Sequence, residues 1–142
     1  MSEITDKMKT YTGTKTLKAT PMTKAEYNEY RGWTMPEVED PTEKVYLVEY
    51  PPEEDTVPNH PAHQGYISMS PANVFEKYYT PSETYLDRLR IEDSELTIKM
   101  EKLSDALAND TVPENQREIL GKQLDAMSAY SQILTVRIAN AG

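Results

Sequence analysis

The C-terminal half of the chain contains two stretches in which apolar residues recur at alternating steps of three and four. In the first stretch, Asp93 fills one step of a series formed by Leu86, Leu89, Leu96, Met100, Leu103 and Leu107. In the second, Ser131 fills one step of a series formed by Leu120, Leu124, Met127, Leu134 and Ile138. Such steps are typical of a seam between packed helices. The break at Asn109-Asp110-Thr111 and the restart at Pro113 predict an antiparallel helical hairpin with helices at about 81–108 and 113–140. Each arm would be roughly 40 Å long.

A second apolar stripe runs along the same two helices. Its members are Ile91, Ile98, Ile119, Ala126, Ala129, Ile133 and Val136. Two helices cannot bury both stripes against each other, and the small alanines would let another helix approach closely. The stripe therefore predicts either an interface between subunits or a face that docks the N-terminal sheet.

Residues 1–80 read as a small α+β region, and residues 81–142 as the helical hairpin. Residues 1–9 are polar and predict a frayed end. Strands are predicted at 11–19, 45–50 and 65–69, and short helices at 23–31 and from Ser70-Pro71 to 79. Capping-box patterns occur at Thr23 with Glu26 and at Thr80 with Glu83. The expected fold is a small antiparallel sheet with short helices, followed by a long hairpin that oligomerises.

Composition narrows the class of partner. The net charge is −9, so a nucleic-acid duplex is disfavoured, although a local basic pocket could still hold a small anion. Cysteine is absent, which excludes disulfides and thiolate chemistry. The chain has no apolar run long enough to cross a bilayer, and the N-terminus MSEITDKMK lacks a signal-peptide core. These features predict a protein that stays in the cytoplasm and away from membranes.

Motifs for catalysis and cofactor binding are missing. No phosphate-binding loop, dinucleotide fingerprint, nucleophile elbow or zinc-protease helix occurs, so we expect no catalytic residue and no cofactor. His60 and His63 lie near Glu53, Glu54 and Asp55 and could bind a metal. A solvated loop is the alternative, because Pro58 and Pro61 keep the segment irregular, and we predict no metal site.

Cations and a tyrosine on the hairpin are the main candidates for binding. Tyr85 and Arg88 share one helical face, as do Lys99 and Lys102. Other cations on the second helix include Arg117 and Arg137. An aromatic plane beside a cation suits a base and a phosphate, whereas the alternative is ordinary solvated charge on a helix surface.

Two segments resemble known bacteriophage families. The matching stretches of the first resemble a family of small phage proteins and include the motifs Tyr-Arg-Gly-Trp, Tyr-Leu-Val-Glu-Tyr and Gly-Tyr-Ile-Ser; they are residues 9–15, 21–23, 27–33, 46–50, 65–68, 70–71 and 74–75. The C-terminal pattern resembles the hairpin shared by the first type of Thoeris anti-defence protein and the anti-CBASS cyclic-dinucleotide sponge. Its residues are Gln116, Arg117, Gln123, Ala126, Met127, Tyr130, Ile133, Leu134, Arg137 and Ile138. The two matches together span roughly residues 9–138.

The resemblance implies a sponge, a protein that sequesters nucleotide second messengers of bacterial immunity without cleaving them. The implied ligands are cyclic ADP-ribose isomers and, for some members, cyclic di- or trinucleotides. The implied assembly is a homodimer that forms a homohexamer.

The same resemblance implies ligand-binding positions. For cyclic oligonucleotides these are Tyr85, Arg137 and Lys99, with Lys102 as the alternate to Lys99. Arg88 is a further candidate, which comes from the residue pattern and not from the resemblance. For an ADP-ribose site, the candidates are chosen by the chemistry of their side chains alone, and they are Arg31, Trp33, Phe75, Arg117 and Tyr130.

Met69 is a departure, since similar proteins often carry Trp after Gly-Tyr-Ile-Ser. The change keeps an apolar filler but removes a stacking plane.

A structural adaptor that uses the hairpin only for assembly remains the rival function, and a hydrolase of the same messenger is a third.

Overall fold

The computed structural model describes residues 3–110 and 112–142. Residues 1 and 2 of the predicted frayed segment, and Thr111 of the predicted turn, lie outside the described residues. The chain divides into two compact units, Met1–Tyr79 and Thr80–Gly142, which are described separately.

The elements of the first unit are α1 (Glu3–Lys7), β1 (Lys18–Thr23), α2 (Lys24–Arg31), β2 (Lys44–Glu49), β3 (Ile67–Pro71) and α3 (Ala72–Tyr78). The second unit contains α4 (Tyr85–Ala108) and α5 (Glu114–Ala141). Among the described residues, no helix combines the length and apolar content that crossing a bilayer requires.

The sheet is antiparallel, with strand order β1-β2-β3. In its register, Lys18 pairs with Glu49 and Thr23 pairs with Lys44, while Val45 pairs with Pro71 on the other side. One face carries a core of Tyr27, Val45, Leu47 and Ile67, with Met22 and Met69 packed against it. Because side chains alternate along a strand, Tyr46 points to the opposite face, where it stacks on Phe75. Helices α2 and α3 therefore cover opposite faces of β2.

The first helix and first strand differ from the sequence expectation. The N-terminal segment predicted to be frayed forms α1, in which Glu3 and Asp6 in the first turn and Lys7 in the last turn complement the helix dipole. The strand predicted at 11–19 instead runs over Lys18–Thr23. Met22 in this segment packs on the core, whereas the Thr-rich residues before it are mostly exposed. Pro21 is compatible with the strand because β1 lies at the sheet edge.

Both boundaries of α2 match the sequence prediction. Thr23 and Glu26 form the predicted capping box, with N···O distances of 3.0 and 3.2 Å. Gly32 ends the helix at φ 73°, a left-handed conformation that favours glycine. The expected start of α3 at Ser70-Pro71 was early, since β3 continues through Pro71, which becomes the N-cap of α3.

The predicted helical hairpin is confirmed. Leu89, Leu96 and Leu134 are buried between α4 and α5, with Met100, Met127 and Ile138 packed around them. Every other residue of the two predicted seams is at least half-buried, including the polar fillers Asp93 and Ser131. The turn contains Asp110 at φ 52°, which a short polar side chain tolerates.

The start of α4 differs from the prediction. The expected start at 81 with Thr80 as N-cap is wrong, because the helix begins at Tyr85 and Thr84 is its N-cap. The Thr84 hydroxyl accepts from the Asp87 amide at 3.0 Å, and the Asp87 carboxylate accepts from the Thr84 amide at 3.3 Å. The segment holds two successive capping patterns, and the second is the one in use. Helix α5 begins one residue after the expected position.

The N-cap assignment predicts unequal effects of two similar substitutions. Thr84→Ala removes a capping hydrogen bond and should lower the free energy of unfolding of the hairpin by about 1 kcal/mol. Thr80→Ala is the matched control, since Thr80 is exposed and lies outside the helix. Urea denaturation followed by circular dichroism checks both. Equal losses in the two variants would contradict the assignment.

Candidate ligand-binding site

Arg31 and Trp33 lie together in the N-terminal unit, as two of the predicted ADP-ribose residues. The Arg31 guanidinium sits 4.2 Å from the Trp33 ring centroid and donates to the Tyr27 hydroxyl at 2.8 Å. Trp33 also meets Tyr27 edge to face, with centroids 6.0 Å apart. Trp33 is 53% exposed and borders a cleft of about 370 Å³. We call this the Trp33 cleft; its lining is Lys24, Tyr27, Asn28, Trp33, Thr34, Pro36, Glu39 and Met69.

Met69, the position at which the resemblance noted in the sequence predicts Trp, lines this cleft. Its side chain is half-buried and packs against the core beneath the cleft. A tryptophan at this position would offer a second flat ring near Trp33. Met69 thus lines the same cleft as Trp33, one of the predicted site residues.

Phe75 lies in a different group of aromatic residues. Its ring stacks on Tyr46 at 4.2 Å and on Tyr79 at 4.9 Å between centroids. The Tyr46 hydroxyl donates to Glu76 at 2.8 Å, which raises the pKa of Tyr46. Both faces of the Phe75 ring are therefore occupied by other rings, and its position fits packing of α3 on the sheet.

A carboxylate–imidazole–phenol chain was missed by the sequence reasoning. Glu49 Oε1 lies 2.6 Å from His63 Nδ1, and His63 Nε2 lies 2.5 Å from the Tyr30 hydroxyl. Because a carboxylate only accepts, Nδ1 carries a hydrogen, and in the neutral ring Nε2 accepts from Tyr30. The Gly65 amide donates to the other Glu49 oxygen at 2.9 Å. We call Glu49, His63 and Tyr30 the relay.

The loop holding both histidines is irregular and mostly exposed, but several contacts anchor it that the prediction of a solvated loop did not include. His60 stacks face to face on Tyr30, with centroids 4.4 Å apart. Asn59 exchanges two hydrogen bonds with the backbone of Ile67, at 2.7 and 2.8 Å. Within residues 3–110 and 112–142, no group of three or more His, Asp or Glu side chains is arranged to hold a metal ion. No sequence spacing signals the relay, because its members come from a helix, a strand and a loop.

Tyr85 and Arg137 meet at the open end of the hairpin. Arg137 Nη2 donates to the Tyr85 hydroxyl at 2.8 Å, and the guanidinium lies 5.8 Å from the tyrosine ring centroid. The hydrogen bond to Tyr85 raises the pKa of Arg137, with a smaller contribution from the charge of Glu92. The two residues are 52 positions apart in sequence, and the antiparallel hairpin is what joins them.

The Tyr85–Arg137 pair begins a row of polar side chains along one side of the hairpin. Residues seven apart return to nearly the same face of a helix, and α4 and α5 run antiparallel. Six residues at such spacings follow this side, and we call them the polar flank: Tyr85, Glu92 and Lys99 on α4, with Arg137, Tyr130 and Gln123 on α5. Tyr130 is 38% exposed. The flank thus contains four of the predicted site residues.

The predicted cations do not converge on one point within a chain. Lys99 is fourteen residues from Tyr85, about 21 Å along the helix. Lys99 and Lys102 are exposed and form no ion pair among the described residues. Arg88 donates to the carbonyls of Ser82 and Glu83, at 3.4 Å each, next to the helix start.

Arg117 lies at the turn, at the opposite end of the hairpin. Its guanidinium donates to the Leu107 carbonyl at 2.8 Å and to Asp110 at 3.0 Å. These contacts give a hydrogen-bond donor to an unpaired carbonyl in the last turn of α4 and connect the turn to α5. Arg117 is twenty residues from Arg137, about 30 Å along α5, so the two cannot share one small ligand in a single chain.

The observed class is an α+β protein with a C-terminal helical hairpin that bears an aromatic–cation pair at its open end. Residues 83–140, which include nearly all of α4 and α5, match the family model described as Sequestin. No curated protein and no solved structure matches the chain. The family match therefore falls on the hairpin, where Tyr85, Arg137 and the polar flank lie.

The relay makes the stability of the protein depend on pH. The hydrogen bond from His63, and then that from the Gly65 amide, hold the pKa of Glu49 below its ordinary value of 4.5. A carboxyl with a lowered folded-state pKa stabilises the fold above pH 4.5 and loses that contribution as pH falls through the folded value. The difference in unfolding free energy between wild type and Glu49→Gln should therefore shrink as pH falls from 7 to 3.

Urea denaturation across that pH range checks this expectation. Glu54→Gln is the control, because Glu54 is exposed and makes no hydrogen bond or ion pair among the described residues. Its difference from wild type should stay nearly constant with pH. A pH-independent difference for Glu49→Gln would show that the relay carboxylate contributes nothing through its ionised form.

Proposed function

We propose that this protein sequesters a nucleotide second messenger and leaves it chemically intact. The observation that carries the proposal is the Tyr85–Arg137 pair on a hairpin whose residues 83–140 match the Sequestin family model. A flat ring offers a stacking surface to a base, and a guanidinium pairs with phosphate through charge-assisted hydrogen bonds. The name of the family also favours a binding role over a catalytic one.

The Arg137 guanidinium retains donors for such a ligand. It has five N–H groups, and its contact with Tyr85 uses one of them. The tyrosine is 48% exposed, so its ring is available for stacking. The pair is thus already oriented in the free protein, which lowers the entropy lost when a ligand binds.

The resemblance noted in the sequence supports specific ligands. These are cyclic ADP-ribose isomers of Thoeris defence, and cyclic di- or trinucleotides of CBASS defence. The protein would act in the host bacterial cytoplasm during phage infection. Binding alone lowers the free messenger concentration when the protein is abundant and its affinity is high, so no turnover is needed.

Self-association is the second part of the proposal. The outer face of α5 carries Ile119, Ile133 and Val136, which are 61, 57 and 59% exposed, together with the exposed Ala126 and Ala129. Their spacing repeats with a period of seven, as in a helix–helix seam. An exposed apolar row of this length is typical of an interaction surface. We propose that it pairs copies of the chain into a homodimer that assembles into a homohexamer.

Assembly would also explain how Lys99 contributes. Because Lys99 lies about 21 Å from Tyr85 along α4, one ligand can reach both only if they come from different copies. A neighbouring hairpin laid against the first could bring its own Lys99 to the Tyr85–Arg137 pair. Lys102, one turn further along, is the alternate.

A structural adaptor is the second candidate function, and the exposed outer face of α5 is the observation that favours it. An adaptor would use that face for assembly and bind no small ligand. Heat separates the possibilities: the protein is mixed with a cyclic dinucleotide, denatured and filtered. A sponge depletes free messenger before heating and returns the intact molecule afterwards. An adaptor never depletes it, and a hydrolase returns a product.

Substitution of the cationic member of the pair tests the proposed site. Arg137→Ala should weaken binding of a cyclic di- or trinucleotide by about 10- to 100-fold, the effect of one hydrogen bond to a charged group. Lys99→Ala should weaken it in the same direction. Isothermal calorimetry measures both on the full chain. Arg90→Ala is the control, since Arg90 is an exposed α4 cation outside the polar flank. Unchanged affinity in both Arg137→Ala and Lys99→Ala would refute the site.

A charge placed on the outer face of α5 tests self-association. Ile133→Glu should shift the protein toward single chains, because burying an unpaired carboxylate at an interface is unfavourable. Thr135→Glu adds the same charge at an exposed position on another side of α5 and should leave the assembly unchanged. Sedimentation velocity distinguishes the species. An identical oligomer for Ile133→Glu and wild type would place the interface elsewhere.

A further inference from the structure

A second cleft lies in the N-terminal unit, where the paired ends of β1 and β2 bring Lys18 opposite Glu49. Its volume is about 600 Å³, within the usual range for pockets that bind small molecules. We call it the Lys18 cleft. Its lining is Thr16, Leu17, Lys18, Glu49, Tyr50, Pro51, Pro52, Ala62, His63 and Gln64. None of these residues was among the ligand-binding residues predicted from the sequence.

The relay holds one wall of the Lys18 cleft in place. Glu49 and His63, whose side chains are 19 and 16% exposed, are joined by a 2.6 Å hydrogen bond, and Tyr30 fixes the far side of the imidazole. Gly65 follows the lining residue Gln64 and packs closely on the end of β2, where a Cβ would clash with the Tyr50 carbonyl. The wall is therefore shaped before any ligand arrives, which favours binding.

The lining has a polar part and an apolar part, and the polar part holds the groups that are free to bind a ligand. Both nitrogens of His63 are already paired, so they are not free for a ligand. Within the described part of the chain, the Lys18 ammonium has no ion pair and the Gln64 side chain has no hydrogen-bond partner. Lys15 adds a second cation, with its ammonium 5.7 Å from the Tyr50 ring centroid.

The apolar part of the lining is rich in rings. Tyr50, Pro51 and Pro52 follow β2 directly, and all three line the cleft. A ring surface beside two lysines suits a ligand that has both a planar base and a phosphate. Glu49 and Gln64 also line the cleft and add acceptor oxygens, which suit sugar hydroxyls.

We propose that the Lys18 cleft binds a nucleoside monophosphate unit, with its phosphate at Lys18 and Lys15 and its base on Tyr50. The proposal rests on the proposed function for the class of ligand, and it extends that function by giving the N-terminal unit a nucleotide site of its own. The contacts that carry it lie entirely in that unit, so its success does not depend on Arg137.

The test uses the full chain and AMP as the probe, in equilibrium dialysis. Wild type should bind AMP, and Lys18→Ala should weaken that binding at least about tenfold through loss of a charge-assisted contact. Lys44→Ala is the matched control, because Lys44 is an exposed lysine at the other end of the same β1–β2 pairing. It should bind AMP as wild type does.

A second variant tests the stacking surface. Tyr50→Leu should weaken AMP at least about fivefold, as loss of base stacking does, and leave inorganic phosphate binding unchanged. Absence of AMP binding, equal weakening by Lys18→Ala and Lys44→Ala, or equal loss of AMP and phosphate in Tyr50→Leu would overturn the proposal.

The Arg137→Ala protein separates this site from the hairpin. It should bind AMP like wild type while its affinity for a cyclic dinucleotide falls. Loss of AMP binding in Arg137→Ala, with no effect of Lys18→Ala, would assign AMP to the hairpin and refute the cleft. Retained AMP binding together with unchanged cyclic-dinucleotide affinity would count against the hairpin site alone.

Discussion

The packing of Leu89 and Leu96 against Leu134 is the contact on which the hairpin depends. These side chains are 2, 7 and 0% exposed, and each buried leucine contributes on the order of 1.5–3 kcal/mol relative to exposure. Because the seam repeats every seven residues, other residues at seven-residue spacing also form rows along the hairpin. The polar flank is the row on one side of the seam. The outer apolar face of α5 is the row that points away from α4. Ligand contacts and self-association in our proposal both follow from that one register.

Aromatic–cation pairs recur on a chain whose net charge is −9. Arg137 lies by Tyr85, Arg31 by Trp33 and Lys15 by Tyr50, with centroid distances of 5.8, 4.2 and 5.7 Å. Each pair places positive charge beside a flat ring against an acidic background. Local chemistry of this kind lets an acidic protein accept a small phosphorylated ligand while its overall charge disfavours long polyanions.

Periodic and local features were the ones that sequence reasoning predicted correctly. The seams, the capping box at Thr23 and the end of α2 at Gly32 all depend on residues within one or two helical turns. The predicted start of α4 was wrong because two capping patterns follow one another, and local sequence does not decide between Thr80 and Thr84. The relay could not be predicted, since Tyr30, Glu49 and His63 meet only after the sheet and its loop have formed. Tyr85 and Arg137 were named separately as candidates, and their contact was not predicted, because it depends on how the two helices pack side by side.

Native mass spectrometry of the full chain, with and without a panel of cyclic nucleotides, tests the central claim most directly. One spectrum reports both the number of subunits and the number and mass of bound ligands. Our account predicts an assembly of several chains that gains a fixed number of ligands, each with the mass of the unaltered messenger. A single-chain species that binds no member of the panel would contradict it.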